Sequence, residues 1–323
     1  MIEKFREKLG PEVKEKETLA NHVTFRIGGP ARYFYEAKTK ADLVKALKTA
    51  EEFGVNYFLL GGGSNLLVSD KGFDGLVIKP LIKDFKIDGE RVYAEAGVSV
   101  QYLLAATLEA GLVGFAWVAG LPGTIGGAVY GNAGAYGEDI SGVIESVEIY
   151  QAGLVRTYSR AEMKFSYRHS IVKETKAVIL SLVIKLKKGD VKKEREQIKI
   201  YTQKRCRTQP LDLPSAGCTF KNVDLTEIQI DPEKVRKALD LSESEYQAAT
   251  KYNKLPISFI FDRLGLKGKK IGGAQVSEKH GAFIVNAGGA TAEHVVMLIS
   301  DLKMRVRNEL GIQLQEEIQY VGF

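Results

Sequence analysis

The sequence is poor in the residues that cross-link a chain or hold a transition metal. Its 323 residues include only two cysteines and four histidines. Two thiols cannot form a disulfide framework in a chain of this length, and such usage is typical of a reducing compartment. The histidines, at positions 22, 169, 280 and 294, are too scattered to indicate a metal centre. We therefore expect no metal and no structural disulfide.

Charge and hydropathy exclude further classes of protein. No stretch is typical of a membrane helix, and residues 1–16 are too charged for a signal peptide. The formal net charge of +6 favours anionic ligands without requiring nucleic acid. The most basic segment, residues 185–207, lacks a ladder of aromatic side chains and is interpreted as a strand end followed by a solvated helix. These absences predict a cytoplasmic protein that binds no nucleic acid and inserts into no membrane.

Length and periodicity give a first outline of the fold. A chain of 323 residues with 45% apolar residues is long enough for two or three domains with sizeable cores. Helical spacing of apolar residues predicts helices over residues 41–53, 100–110 and 291–310, with Ser99 as the cap of the second. The end of the sequence, residues 312–321, is predicted to be a strand.

Glycine is concentrated where charge is missing. Residues 111–137 contain nine glycines and no charged residue. Pro122, Asn132 and the glycines make a continuous helix unfavourable, so we expect turns with positive φ and a close approach of the backbone to a large flat ligand. A tightly packed loop without a ligand is the alternative.

Two further loops are unusual. Residues 61–65 (GGGSN) follow a short apolar segment and match neither the P-loop nor the GxGxxG motif. They are consistent with a nest of backbone amides for an anion, and equally with a tight turn that binds nothing. Residues 209–222 contain two prolines and a glycine, which disfavour regular structure. That loop carries several polar groups, namely Ser215, Cys218, Lys221 and Asn222.

Seven short motifs occur in a fixed order along the chain. They are TFRIGG (24–29), GGGSN (61–65), LPGTIGG (121–127), NAGAYG (132–137), YRHS (167–170), PSAGCTFKN (214–222) and IGGAQVSEKH (271–280). Each motif alone is weak, whereas the ordered set is specific. With this set, the chain from about residue 19 to residue 323 resembles the UDP-N-acetylenolpyruvoylglucosamine reductases of bacterial cell-wall synthesis, in the shorter subtype of that family.

The resemblance implies an α+β fold, with an FAD-binding PCMH-type module of two α/β subdomains and a C-terminal α+β substrate-binding domain. The implied first FAD-binding subdomain spans residues 1–80 and is joined by a C-terminal strand at 312–323. The second spans residues 81–206, and the substrate-binding domain spans residues 207–311. Non-covalent FAD, NADPH as co-substrate, and a monomer or weak dimer are also implied.

The implied reaction reduces UDP-N-acetylglucosamine enolpyruvate to UDP-N-acetylmuramate, a peptidoglycan precursor. NADPH reduces FAD, and the enolpyruvyl group then takes a hydride from the flavin and a proton from the protein. The resemblance assigns Arg168 to the substrate carboxylate, Cys218 to proton donation, and Glu317 to sharing or relaying a proton. Each residue has a plainer alternative, namely a surface ion pair for Arg168, a buried apolar-like thiol for Cys218 and a solvated strand face for Glu317.

Cys218 departs from the family, in which many members carry serine at this position. A thiol, with a pKa of about 8.5, is a stronger acid than a hydroxyl, so the role of proton donor is kept. Ser215, three residues earlier, could be mistaken for the donor, and a shift of one residue in the comparison would exchange Glu317 for Glu316. Cys206 is expected to be a small buried apolar side chain.

The resemblance also implies the binding residues. The FAD-binding residues are Gly61, Gly62, Gly63, Ser64, Asn65, Leu121, Pro122, Gly123, Thr124, Gly126 and Gly127 around the pyrophosphate, with Gly134, Ala135 and Tyr136 lining the flavin or adenine. The substrate-binding residues are Asn222, Lys221, Lys254 and Arg207. Two other classes of function stay open, namely an FAD oxidase of small alcohols on the same scaffold and a non-enzymatic nucleotide-sugar-binding module.

Overall fold

The computed structural model describes residues 1–323, which divide into two compact units. The first unit comprises Met1–Glu17, Ala31–Gly63 and Phe73–Arg207. The second unit comprises Thr18–Pro30, Ser64–Gly72 and Thr208–Phe323. None of the helices combines the length and the apolar character that crossing a bilayer requires.

The chain contains ten α-helices, three 3₁₀ turns and 21 strands. The helices are α1 (Ile2–Leu9), α2 (Lys40–Glu52), α3 (Val100–Glu109), α4 (Ile125–Tyr130), α5 (Val172–Thr175), α6 (Val191–Thr208), α7 (Pro232–Ala238), α8 (Glu243–Thr250), α9 (Ile257–Arg263) and α10 (Ala292–Leu310), and the 3₁₀ turns are Leu19–His22, Ala116–Val118 and Ile140–Gly142. The strands are β1 (Lys14–Thr18), β2 (Pro30–Ala37), β3 (Tyr57–Leu59), β4 (Leu66–Val68), β5 (Phe73–Pro80), β6 (Phe85–Asp88), β7 (Arg91–Glu95), β8 (Leu112–Val113), β9 (Gly134–Ala135), β10 (Glu138–Asp139), β11 (Ile144–Gln151), β12 (Leu154–Ser159), β13 (Val178–Lys185), β14 (Lys187–Lys188), β15 (Ser215–Cys218), β16 (Val223–Asp224), β17 (Lys254–Leu255), β18 (Lys270–Ile271), β19 (Ala274–Val276), β20 (Phe283–Asn286) and β21 (Gln319–Val321).

The first unit contains a four-stranded sheet in the order β1–β2–β5–β3. Strands β2 and β3 both run parallel to β5, so α2 serves as the crossover between β2 and β3. Helix α2 begins at Thr39, whose side chain forms a capping box with Asp42, and Gly54 follows it at φ +61°. Leu47 of α2 is fully buried in the same core as Ile78 of β5. The predicted helix over residues 41–53 is confirmed.

The second sheet of the first unit is antiparallel, in the order β12–β11–β13–β7–β6. Its core includes Trp117, Val147 and Ile149. Helix α3 forms as predicted, but the side chain of Ser99 makes no cap hydrogen bond. The backbone of Ser99 instead pairs with Thr124, a residue of the glycine-rich stretch, in an isolated antiparallel bridge.

The glycine-rich stretch, residues 111–137, is more regular than the sequence predicts. It contains β8, a 3₁₀ turn, α4 and β9, and the side chain of Thr124 caps α4 by accepting from the amide of Gly127. Gly126 and Gly127 therefore lie in a helix rather than in a turn. A long-range hydrogen bond explains this outcome. The amide of Gly126 donates to the carbonyl of Ala96 at 2.9 Å and holds α4 against the end of β7.

The second unit is built on a sheet in the order β15–β20–β19–β18, and α10 contributes to its core. Thr291 caps α10 with a capping box to His294, and Asp70 accepts from the amides of Ala292 and Glu293. Strand β21 pairs in parallel with β4. The predicted strand over residues 312–321 is too long, because only Gln319–Val321 pairs as a strand.

The α+β architecture predicted from the sequence is confirmed by these sheets and helices. The division into three domains, residues 1–80 with 312–323, 81–206 and 207–311, stays a prediction.

Candidate active site

Two glycine turns of the first unit pack backbone against backbone. A Cβ on Gly62 would overlap the Cα of Gly123, and a Cβ on Gly61 would lie 3.0 Å from Oγ1 of Thr124. Gly63 and Gly123 have φ values of +64° and +105°, which side chains rarely adopt. The structure therefore brings together the first part of the GGGSN motif and the LPGTIGG motif.

Gly126 and Gly127 differ in what surrounds them. A Cβ on Gly126 would lie 2.7 Å from Cβ of Ala96, which is closer than packed atoms allow. A Cβ on Gly127 would meet only Oγ1 of Thr124, at 3.4 Å. Glycine is thus required at position 126 by packing of α4, whereas the space at position 127 accommodates a methyl group.

Two polar side chains that the sequence reading missed hold the glycine-rich stretch in place. From α3, Gln101 donates through Nε2 to the carbonyls of Val118 and Leu121 and accepts from the amide of Gly120. From α6, Glu194 accepts through one carboxylate oxygen from three consecutive amides at 2.7–3.0 Å. These amides belong to Gly114, Phe115 and Ala116. Gln101 of α3 and Glu194 of α6 thus hold the backbone of the glycine-rich stretch in one conformation before a ligand binds.

Arg168 lies in a loop that is bonded to the same stretch. Its Nη2 donates to the carbonyl of Gly134 at 3.1 Å, and its guanidinium carbon lies 5.4 Å from the ring centre of Tyr167. Asn132, which is 3% exposed, donates to the carbonyl of Ser166, and Ser170 donates to the carbonyl of Tyr130. One hydrogen bond therefore joins the YRHS and NAGAYG motifs directly, and two more join each motif to a residue just before the other.

Tyr136 packs against one face of α6. Its ring is stacked on that of Tyr201, with centres 3.9 Å apart and planes 7° apart. The charged groups of Lys204 and Arg205 lie 5.2 and 5.4 Å from the centre of the Tyr136 ring. Residues spaced by three and four positions share a helix face, which explains this grouping. Part of the Tyr136 ring surface is thus taken by the helix, and its role toward FAD stays a prediction.

Helix α6 is not the fully solvated helix that its composition predicts. Arg205 is 7% exposed, and Ile198 and Tyr201 pack against the core of the second sheet. Glu194, Ile198, Tyr201 and Arg205 are three or four positions apart and therefore lie on one face of α6, although basic residues surround them in the sequence. The expectation for Cys206 is also wrong, because its side chain is exposed. Cys206 follows Arg205 by one residue and therefore falls outside this face of α6.

In the second unit, the loop that carries Cys218 is bonded to the segment that carries Glu317. The amide of Glu317 donates to the carbonyl of Thr219 at 2.8 Å, and the amide of Lys221 donates to the carbonyl of Gln315 at 2.9 Å. Cys218 lies at the end of β15, is half-buried and takes part in no disulfide. Two of the three predicted catalytic residues therefore lie on adjoining segments.

Glu316 and Glu317 have different surroundings. The carboxylate of Glu316 accepts from Nζ of Lys303 at 2.8 Å. The backbone of Glu317 is bonded on both sides. Its amide donates to Thr219, and its carbonyl accepts from Nδ2 of Asn65 at 3.1 Å. Asn65 in turn accepts at its own carbonyl from the amide of Gln319. Asn65 of the GGGSN motif is thus bonded to the segment that carries Glu317.

The predicted substrate-binding residues of the second unit lie around the β16–β17 pair. Oδ1 of Asn222 accepts from the amide of Ile257, the first residue of α9. Lys254 is paired in the strand register with Asp224, and its Nζ lies 3.8 Å from that carboxylate. The pKa of Asp224 is lowered, mainly by the hydrogen bond from Thr226, against the opposing effect of burial, and further by Lys254. Arg207 belongs to the first unit and is exposed near the end of α6.

Comparison with known proteins defines first the class. Residues 31–152 match the family described as "FAD binding domain", and residues 209–321 match the C-terminal domain of UDP-N-acetylenolpyruvoylglucosamine reductase. An FAD-binding domain of this kind in the first unit, followed by that C-terminal domain, defines an FAD-dependent oxidoreductase.

The relatives then define the family. The chain is 36% identical over 308 residues to the UDP-N-acetylenolpyruvoylglucosamine reductase of Caldanaerobacter subterraneus subsp. tengcongensis, covering 95% of this chain and 92% of that one. It is 38% identical over 324 residues to that of Caldicellulosiruptor bescii, with 97% and 92% covered. The crystal structure of the enzyme from Thermus caldophilus is similar with a TM-score of 0.74 and 28% identity, covering 96% and 98%. The chain belongs to the UDP-N-acetylenolpyruvoylglucosamine reductase family.

Family membership confirms the predicted fold class and the predicted FAD cofactor. It decides against the alcohol oxidase and the non-enzymatic binding module that the sequence left open. The residues of the first unit also fit FAD. The two glycine turns approach without intervening side chains, and Arg205 has buried donor atoms, Nε and Nη2, that no acceptor in the structure satisfies. The assignment of individual residues to FAD stays a prediction.

Proposed function

We propose that this protein reduces UDP-N-acetylglucosamine enolpyruvate to UDP-N-acetylmuramate with NADPH, through FAD, in the synthesis of peptidoglycan precursors. The names of the relatives support the substrate. The observation that carries the proposal is the hydrogen bond from the amide of Glu317 to the carbonyl of Thr219. This backbone bond joins the segment that carries a half-buried thiol, Cys218, to the segment that carries a carboxylic acid, Glu317. A reaction that adds a proton to carbon needs acidic groups of this kind.

Bound FAD supplies hydride transfer from NADPH to the methylene carbon of the enolpyruvyl group. The protein must then hold the substrate carboxylate while negative charge develops next to it. Arg168 performs this task, because a guanidinium is permanently charged and binds a carboxylate through two parallel hydrogen bonds. The bond from its Nη2 to the carbonyl of Gly134 and its contact with Tyr167 restrict the side chain before substrate arrives.

Cys218 gives its proton to the adjacent carbon, which completes the lactyl ether. The thiol is a stronger acid than the serine hydroxyl that many relatives use, so donation requires less assistance. Cys218 lies one residue before Thr219, whose carbonyl accepts from Glu317. Glu317 in its acid form stabilises the carboxylate that becomes enolate-like, by sharing or relaying a proton.

The nucleotide part of the substrate is bound by Lys221, Asn222, Lys254 and Arg207. The lysines match the charge of the two UDP phosphates. Asp224 lies beside Lys254 and reduces the net positive charge there, so we expect Lys221 to contribute more to phosphate binding than Lys254. We further infer that the enzyme is cytoplasmic. We also infer that it is a monomer or weak dimer, and analytical ultracentrifugation tests this oligomeric state.

The decisive experiment measures NADPH oxidation by the purified FAD-loaded protein. We expect rapid oxidation only when UDP-N-acetylglucosamine enolpyruvate is present, with UDP-N-acetylmuramate as the product in equal amount. UDP-N-acetylglucosamine, which lacks the enolpyruvyl group, is the matched control and should give no turnover. Oxidation of NADPH at the same rate with either compound, or with neither, would contradict the proposal.

A further inference from the structure

Arg205 has a buried charge without a matching acceptor. Its side chain is 7% exposed, and its Nε and Nη2 atoms are buried without a hydrogen-bond acceptor. A guanidinium cannot lose its proton in a protein, and buried arginines normally have their donors satisfied. An unmatched charge of this kind is strongly unfavourable unless another group completes it. The side chain therefore indicates an acceptor that the first unit does not itself supply.

The surroundings of Arg205 are those of the predicted FAD-binding stretch. Gly120, at φ +74°, makes room for the side chain, because a Cβ there would lie 2.9 Å from Cδ of Arg205. The guanidinium carbon lies 5.4 Å from the ring centre of Tyr136. Gly120 and Tyr136 both belong to residues 111–137, so Arg205 packs against this glycine-rich stretch.

Glu194 fixes the helix that carries Arg205. Its carboxylate accepts from three successive amides of the glycine-rich stretch, beginning at Gly114. Arg205 follows Glu194 by eleven positions in the sequence. This step is about three helical turns, or roughly 16 Å, along the same face of α6. Glu194 near the start of the helix and Arg205 near its end therefore contact the same stretch at two points.

We propose that Arg205 donates hydrogen bonds from Nε and Nη2 to an oxygen of bound FAD, and that Glu194 is the positioning residue that holds α6 for this contact. The acceptor is either a pyrophosphate oxygen or a carbonyl oxygen of the flavin ring, since both offer acceptors to a guanidinium. The inference rests on FAD binding, which family membership establishes, and is independent of the proposed substrate.

The first test is titration of FAD-free protein with FAD, followed by flavin fluorescence. Arg205→Met keeps the side-chain volume and removes the charge, and the dissociation constant should rise about tenfold to hundredfold, the usual worth of a charge-assisted hydrogen bond. Arg195→Met is the matched control, because Arg195 is an exposed arginine of the same helix, and it should change the constant less than about twofold. A change of less than about twofold for Arg205→Met would overturn the proposal.

Thermal unfolding of the FAD-free protein separates this role from a structural one. Arg205→Met removes an unmatched buried charge, so its melting temperature without FAD should equal or exceed that of the parent. A lower melting temperature, or failure to fold, would mean that Arg205 supports the structure itself. Arg205→Lys provides an independent check, since it keeps the charge but loses the forked donors. An FAD affinity equal to that of the parent in Arg205→Lys would also overturn the proposal.

Two further measurements identify the acceptor. If it is the pyrophosphate, Arg205→Met should weaken FAD but leave riboflavin affinity and the flavin midpoint potential unchanged. If it is a ring carbonyl, riboflavin affinity should fall as well, and the potential should become more negative, because a cation stabilises the reduced flavin. Either pattern supports the contact.

A double-mutant cycle tests the positioning role of Glu194. Glu194→Ala should weaken FAD binding in the parent protein but have no further effect in the Arg205→Met background. Glu194→Gln, which keeps an oxygen acceptor for the three amides, should restore most of the affinity. Additive losses in the double variant would show that Glu194 acts independently of Arg205.

Discussion

The first unit contains the glycine turns, whereas the second unit contains Cys218 and Glu317, and the two regions are built differently. The glycine turns are defined by the absence of side chains, because Gly62 and Gly123 approach too closely for a Cβ. Cys218 and Glu317 are defined by their side chains, and backbone bonds such as that between Glu317 and Thr219 hold them. The first region should therefore be sensitive to added volume, and the second to altered chemistry at constant volume.

The largest expected effect is on proton donation. Cys218→Ala should slow reoxidation of reduced flavin by the enolpyruvyl substrate about 10²- to 10⁴-fold, the usual contribution of a positioned acid. Reduction of the flavin by NADPH should be unchanged, and stopped-flow absorbance resolves the two steps. Cys218→Ser should retain activity because it keeps a proton donor of similar size. Equal slowing of both steps would remove Cys218 from this role.

The next effect separates two neighbouring carboxylates. Glu317→Gln should slow the same reoxidation about 10²-fold, since it removes an acid from the reacting group. Glu316→Gln should leave it unchanged and cost less than about 1 kcal/mol of unfolding free energy, because it breaks only a partly exposed ion pair with Lys303. Single-turnover kinetics of both variants provide the comparison. A large kinetic effect at Glu316 alone would exchange the two assignments.

A smaller effect is expected from added volume at the glycine turns. Gly62→Ala places a Cβ against the Cα of Gly123 and should raise the dissociation constant of FAD about ten- to hundredfold, as overpacking by one methyl group does. Gly142→Ala is the matched control, since a Cβ there meets nothing within 4 Å. FAD titration of both variants measures the difference, and full affinity in Gly62→Ala would show that the two turns can separate.

The smallest effect distinguishes two adjacent glycines of α4. Gly126→Ala forces a Cβ to within 2.7 Å of Ala96 and should cost about 1–3 kcal/mol of unfolding free energy. Gly127→Ala has room and should gain up to about 1 kcal/mol from helix propensity. Urea denaturation of the FAD-free variants measures both values. Equal destabilisation would mean that helix α4 tolerates no methyl group at either position.

The sequence was most informative where a pattern is local. The capping boxes at Thr39 and Thr291 begin helices close to the predicted positions, since a cap involves residues three apart. The extent of the last strand could not be predicted, because Gln319–Val321 pairs with Leu66–Val68, far away in the chain. Long-range pairing leaves no trace in the periodicity of one segment alone.

The site shows the same limit. Family motifs identified Arg168, Cys218 and Glu317, and the structure places two of these on bonded segments. Gln101, Glu194 and Arg205 lie outside the motifs and were missed, although the spacing of buried residues on α6 contained a signal for two of them. Gln101 and Glu194 contact backbone atoms of the glycine-rich stretch, and Nε and Nη2 of Arg205 have no acceptor within the protein, so residue types alone could not identify these roles.

During translation, β4 cannot pair with β21 until the end of the chain has been synthesised. Asn65 and Glu317, which join these strands, are 252 residues apart. At about 5–20 residues per second, a ribosome needs roughly 13–50 seconds to deliver the partner of Leu66–Val68. For that time an apolar strand has an unpaired edge, which is the kind of surface that chaperones protect and that aggregates capture. Slow codons in the intervening message should therefore lower the yield of the active enzyme.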